Sequence, residues 1–154
     1  MADASMSSME WEGSMTQTVA FQLSKLGQLS TALFAARLAP LGLRPRHCAV
    51  LELLRGGPLA QLELARAIGV TASVVVDMLD ELQSLNAVRR VRDTEDRRRQ
   101  LIELTPTGRD LGRQAFAAAT ETDAELLSGL DPAQLTALRS VLGAMAAERG
   151  LTGR

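Results

Sequence analysis

Between Val88 and Thr105 the chain reads VRRVRDTEDRRRQLIELT, two short apolar stretches on either side of a turn too charged to be buried. Six arginines, Arg89, Arg90, Arg92, Arg97, Arg98 and Arg99, crowd around Asp93, Glu95 and Asp96. Alternation on both flanks predicts strands over Val88–Arg92 and Gln100–Leu104, returning through a turn at residues 93–98. The segment is therefore a β-hairpin that carries its charge at the tip.

Overall charge says little about partners. The chain has 17 basic against 18 acidic residues, so no global field draws it to a polyanion. Local density matters more, because six of the 16 arginines fall within residues 89–99 and Lys25 is the only lysine. Planar guanidinium forks suit phosphates and narrow minor grooves better than ammonium groups do. A solvated charge run on an ordinary hairpin is the plain alternative.

The residues before the hairpin narrow the choice. A helix over Gln61–Ile68 stops at Gly69, Thr71 caps a new one running to about Leu85, and the turn between them is about three residues long. With Leu62, Leu64, Ala65 and Ile68 facing Val75, Leu79 and Leu82, the pair forms a helix-turn-helix whose second member is positioned for a major groove. Asn86 tolerates the left-handed conformation needed to leave that helix.

Further helices flank this unit. Val19, Leu23, Leu26, Leu33, Phe34 and Leu38 recur at helical spacing over Thr16–Ala39, with Pro40 and Gly42 as the stop. A shorter helix follows Pro45 and runs to about Arg55. Thr105 and Pro106 start another that runs to about Ser128, and Asp131, Pro132 and Gln134 open the last, with Leu135, Leu138, Leu142 and Met145 on one face. Residues 1–15 read as a flexible arm with Trp11 as a candidate anchor.

The fold class expected is mainly α with a small β-hairpin wing: a winged helix-turn-helix core over 44–105 and a helical dimerisation region over 16–43 and 106–154. The core should be aliphatic, since Phe21, Phe34, Phe116 and Trp11 are the only aromatic residues. The outer helices carry more apolar surface than a core of about 60 residues can cover, so a second copy is expected to pack on them. No apolar run approaches the roughly 20 residues that span a bilayer, and a cytoplasmic protein with no membrane partner is expected. One cysteine, Cys48, and one histidine, His47, make neither a disulfide framework nor by themselves a zinc site, so no cofactor is expected. No nucleophile–base pair, phosphate loop or metal cluster suggests an enzyme.

The run from Asp93 to Gly108, DTEDRRRQLIELTPTG, resembles the wing signature of the MarR family of winged helix-turn-helix regulators, D-x-x-D-R-R followed by an apolar-x-Leu-Thr-x-x-Gly strand end. Leu43-Arg44-Pro45-Arg46-His47, Leu64-Ala65, Gly69 and Val88-x-Arg90 support it, and the similarity spans about Thr16 to Met145. The resemblance implies that Arg98 enters a minor groove with Arg97 beside it, and that Asp96 holds the wing arginines by an ion pair. It further implies that Arg90 bridges the wing base to the helix-turn-helix or to a phosphate, and that Thr71, Ala72, Ser73 and Val74 lie where the recognition helix meets the major groove. Arg92 and Arg99 complete the DNA-facing set.

Two features depart from the family pattern. Residues 71–88 contain no Lys or Arg and carry Asp77, Asp80 and Glu81, so guanine readout from this helix is not expected. Asp77 either accepts a hydrogen bond from a cytosine amino group or orients Arg90 or Arg92. Arg44 also stands where a small hydroxyl cap is usual.

Double-stranded DNA with a pseudo-palindromic operator, a second copy and a small effector are the partners implied. The resemblance places an effector, often an aromatic or phenolic anion, in a crevice between the dimer helices and the winged core. Arg44, Arg46, His47 and Cys48 are the candidate contacts, with His47 as a helix cap or interface bridge and Cys48 as a small core residue the alternatives. The function expected is a homodimeric regulator, a repressor released by ligand. Constitutive or cysteine-redox control and a protein-binding winged helix are the competing readings.

Overall fold

A computed structural model describes residues 13–151, so the proposed Trp11 anchor lies outside the described residues. Nine regular elements follow one another in order: α1 (Val19–Leu38), α2 (Pro45–Leu54), β1 (Leu59–Ala60), α3 (Gln61–Ile68), α4 (Ala72–Ser84), β2 (Val88–Arg92), β3 (Gln100–Leu104), α5 (Pro106–Leu126) and α6 (Pro132–Glu148). The architecture is mainly helical with a small antiparallel wing.

Local capping chemistry sets most of the boundaries. The side chains of Thr18, Thr71, Thr105 and Asp131 accept hydrogen bonds from the first turns of α1, α4, α5 and α6. In α2 and α3 the N-cap residues are Arg44 and Ala60, which have no such acceptor. The third helical residue reaches back instead: His47 Nδ1 accepts the Arg44 backbone N–H at 3.1 Å, and Glu63 Oε2 accepts that of Ala60 at 2.8 Å. At the other end of α3, Gly69 at φ 77° turns the chain, and the N–H groups of Gly69 and Val70 both donate to the Ala65 carbonyl. Asn86 leaves α4 at φ 55°.

Three details differ from the sequence expectation. α1 begins at Val19 rather than Thr16, because Thr18 caps it and a single 3-10 turn, Met15–Gln17, precedes it. β1 was not foreseen: its two residues pair with β3 (Leu59 with Ile102, Ala60 with Leu101), making a sheet of order β1-β3-β2. Two residues are too few to show a period. Leu62 is exposed rather than turned toward α4, since it falls off the stripe formed by Leu64, Ala65 and Ile68.

The core is aliphatic. Val50 and Leu54 of α2, Leu64 of α3, and Val75, Met78, Leu79 and Leu82 of α4 pack under Val88, Ile102 and Leu104 of the hairpin. α5 closes this core at a point where only glycine fits. A Cβ on Gly108 would lie 1.9 Å from the Ala87 carbonyl oxygen, which already accepts the Thr105 N–H, while Thr105 Oγ1 donates to Asn86. The Thr105-x-x-Gly108 spacing thus welds α5 to the root of the wing.

The outer helices are bared by contrast. α1 buries only Leu38, although Arg37 ties it to Glu121 and Glu125 of α5. α6 buries no residue. Val19, Leu26, Leu29, Phe116, Val141 and Leu142 are all exposed, far more than a small core of this kind leaves over by chance. Among the described residues, no helix is long and apolar enough to cross a membrane.

Candidate nucleic-acid interface and adjoining cavity

The hairpin divides its six arginines into two groups. Arg89 donates to Glu103 directly across the strand pair at 2.6 Å. Arg90 reaches back to α4, donating to Asp80 at 3.1 Å and to Gln83, and so bridges the wing base to the helix-turn-helix. Arg99 donates to Glu63 of α3 at 2.6 Å. Among the described residues, Arg92, Arg97 and Arg98 make no ion pair with the protein.

The turn holds those free groups outward by backbone chemistry. Asp93 Oδ1 accepts the Glu95 N–H at 2.9 Å, Asp96 Oδ1 accepts the Arg98 N–H at 3.0 Å, and the Asp93 N–H donates to the Arg99 carbonyl. Asp96 therefore fixes the loop through a main-chain contact, not through the arginine ion pair that the sequence resemblance implied. Its carboxylate is engaged by the amide two residues on, and the neighbouring guanidinium groups extend into solvent.

Beside the wing, the N-terminus of α4 is open to solvent. Thr71, Ala72, Ser73 and Val74 are exposed, with the hydroxyls of Thr71 and Ser73 bonded to each other at 3.0 Å. Asp77 makes no ion pair or side-chain hydrogen bond among the described residues; Arg90, one of the partners considered for it, is held by Asp80.

Arg44, Arg46 and His47 converge on a residue that sequence reasoning did not single out as a site. Both arginines donate to Glu81 Oε1 of α4, Arg46 at 2.6 Å, and His47 Nε2 lies 2.6 Å from Oε2. Because His47 Nδ1 accepts a backbone N–H, the neutral ring carries its proton on Nε2 and donates it to Glu81. Burial lowers the His47 pKa, outweighing the hydrogen bond to Glu81 that raises it. The Arg46 and His47 hydrogen bonds hold the Glu81 carboxyl down to about 2. The cluster thus fastens the start of α2 to the C-terminal half of α4.

Cys48 lies elsewhere, in the wall of a cavity of about 650 Å³ between α1, α2 and α5. Phe34 and Leu51 supply apolar wall, Phe116 an aromatic rim, and Arg55, Arg109 and Arg113 cationic edges. Arg55 is paired with Glu52 at 2.9 Å and Arg113 with Asp110 at 2.7 Å, while Arg109 has no ion pair among the described residues. Of the four candidate effector contacts only Cys48 lines this space. The Arg109, Arg113 and Phe116 spacing on one helix face was the available signal for the rest. Burial pushes the Cys48 thiol up, so it is protonated at neutral pH.

A helix-turn-helix followed by a β-hairpin wing, with tip cations that have no ion pair among the described residues and an open recognition-helix N-terminus, has the form of a winged-helix DNA-binding protein. The MarR family model matches residues 41–99. A MarR family transcriptional regulator from Rhodococcus sp. RHA1 is similar at 27% identity, over 86% of this chain and 96% of that one, with a TM-score of 0.73. CouR from Rhodococcus jostii RHA1, solved bound to p-coumaroyl-CoA, is similar at 29% identity over 86% and 94% of the two chains, with a TM-score of 0.71. Bordetella bronchiseptica BpsR, whose DNA binding is regulated by 6-hydroxynicotinic acid, is similar at 26% identity over 83% and 98%, with a TM-score of 0.69. Along most of its length the chain is thus similar to winged helix-turn-helix transcriptional regulators of the MarR family.

Proposed function

We propose that the protein is a homodimeric, sequence-specific DNA-binding repressor that a small anionic ligand with an aromatic body releases from a pseudo-palindromic operator. The observation that carries the DNA contact is the division of the wing arginines. Arg92, Arg97 and Arg98 have no ion pair among the described residues at the tip, where a guanidinium entering a narrow minor groove meets enhanced negative potential. Arg90 and Arg99 keep the wing in register with α4 and α3, while Thr71, Ala72, Ser73 and Val74 bring the helix N-terminus to the major groove and its flanking phosphate.

The apolar faces of α1 and α6 support a second copy. Pairing would cover Val19, Leu26, Leu29, Val141 and Leu142 and set two recognition helices about one helical turn of DNA apart. The cavity is of the size that small-molecule sites have, roughly 300–1,000 Å³. Arg109, which has no ion pair among the described residues, offers a cation for an acid, and the aromatic ligands of CouR and BpsR support that ligand class. A protonated Cys48 favours ligand over oxidant as the signal. Arg44, Arg46 and His47 then act through Glu81: a ligand that displaces α2 moves α4 with it, selecting a spacing that no longer fits B-DNA.

Selection of bound sites from random duplex DNA, followed by titration at several salt concentrations, tests this reading. Affinity should fall steeply with salt, and Arg98→Ala should weaken binding about tenfold with helicity and chain association unchanged. Salt-independent binding, equal affinity of the variant, or a single chain in dilute solution would overturn it.

A further inference from the structure

α4 carries three carboxylates, and the protein neutralises two of them. Asp80 is engaged by Arg90, and Glu81 by Arg44, Arg46 and His47. Asp77 is left exposed with no such partner among the described residues. It also has a particular position. Val75, Met78, Leu79 and Leu82 bury one face of α4, so Ser73, Asp77, Asp80 and Ser84, at spacings of four, three and four, run down the opposite one. Asp77 is the carboxylate on that outward stripe nearest the helix N-terminus, the end that a recognition helix presents to base edges.

An anion at this place is repelled by phosphates and by most of the major-groove edge. Guanine offers N7 and O6 acceptors, and thymine an O4 acceptor and a methyl group. Adenine offers an amino donor beside the N7 acceptor, whose lone pair opposes a carboxylate. Cytosine alone presents an amino donor, N4, with no acceptor of its own base on the major-groove edge. We infer that Asp77 is a specificity-determining residue that accepts a hydrogen bond from a cytosine amino group in each operator half-site, an inference that rests on the DNA-binding reading above. With no Lys or Arg between Thr71 and Val88, the recognition helix then selects cytosine by attraction and excludes guanine and thymine at that position by repulsion.

The test is selection from a random-sequence duplex library with the full-length protein, run in parallel for wild type, Asp77→Ala and Asp77→Asn, with circular dichroism to establish that each is folded. Wild type should enrich cytosine at one symmetric pair of positions, at about tenfold cost for any other base. Asp77→Ala should level the preference at those positions and leave the others unchanged. Asp77→Asn should move it toward adenine, which asparagine reads through N6 and N7. The same base preferences in all three proteins, or no enriched cytosine in wild type, would overturn the inference while leaving DNA binding intact. No enriched sequence for any of the three would overturn the underlying reading as well.

Discussion

The two ends of the hairpin are built on opposite principles. At its root, side chains are tied down: Thr105 bonds to Asn86 and Ala87, Arg89 to Glu103, Arg90 to Asp80 and Gln83, and Gly108 lets α5 come into contact with the Ala87 carbonyl. At its tip, side chains are held only through the backbone turn of Asp93 and Asp96, and Arg92, Arg97 and Arg98 have no ion pair among the described residues. A charge-rich segment of one apparent character thus separates into cations that hold the wing and cations that are available to something else. Rigid placement at the root is what gives free charges at the tip a defined position.

Substitutions should separate these two roles, the largest effect coming from the root. Gly108→Ala has no space for its methyl group and should lower stability by about 3 kcal/mol, read as a shifted denaturant midpoint. A variant as stable as wild type would mean that the weld between α5 and the wing is loose. His47→Ala removes the acceptor for the Arg44 N–H and a donor to Glu81, and should lower stability by about 1–3 kcal/mol. Loss of DNA affinity beyond what unfolding explains would show that the link from α2 to α4 also positions the recognition helix.

Acid should loosen the same link. His47 has a folded pKa below its ordinary 6.5, so its contribution is full above that value and is lost as pH falls below it. Glu81, depressed from 4.5 to about 2, adds a second loss as pH falls through that interval. Thermal melts between pH 7 and 3 should show a progressive decrease that His47→Ala blunts in the upper part of the range. The smallest effect belongs to Arg99→Ala, whose exposed pair with Glu63 should change stability by less than about 1 kcal/mol. A larger loss would extend the root's rigidity to the far strand of the wing.

Much of the fold was legible because it depends on near neighbours in the chain. The caps at Thr71, Thr105 and Asp131, the left-handed Gly69 and Asn86, and both hairpin strands follow from hydrogen bonds spanning a few residues and from alternation that a short window displays. The crowding of arginines likewise marks the wing in the sequence itself. Leu62 is exposed against expectation because the fate of a residue just off a helical stripe is decided by the packing angle of the neighbouring helix.

Tertiary structure alone decided which distant charges meet. Glu63 and Arg99 are 36 residues apart, and Glu81 gathers three partners from the start of α2, distances over which no pattern in the chain selects a pair. It also decided that Cys48 faces a cavity while His47 faces α4, and that β1 joins the sheet. The physical reason is the reach of the forces. Capping and periodicity act along the backbone and are written in order, whereas a guanidinium takes whichever carboxylate the folded chain brings within about 4 Å of it.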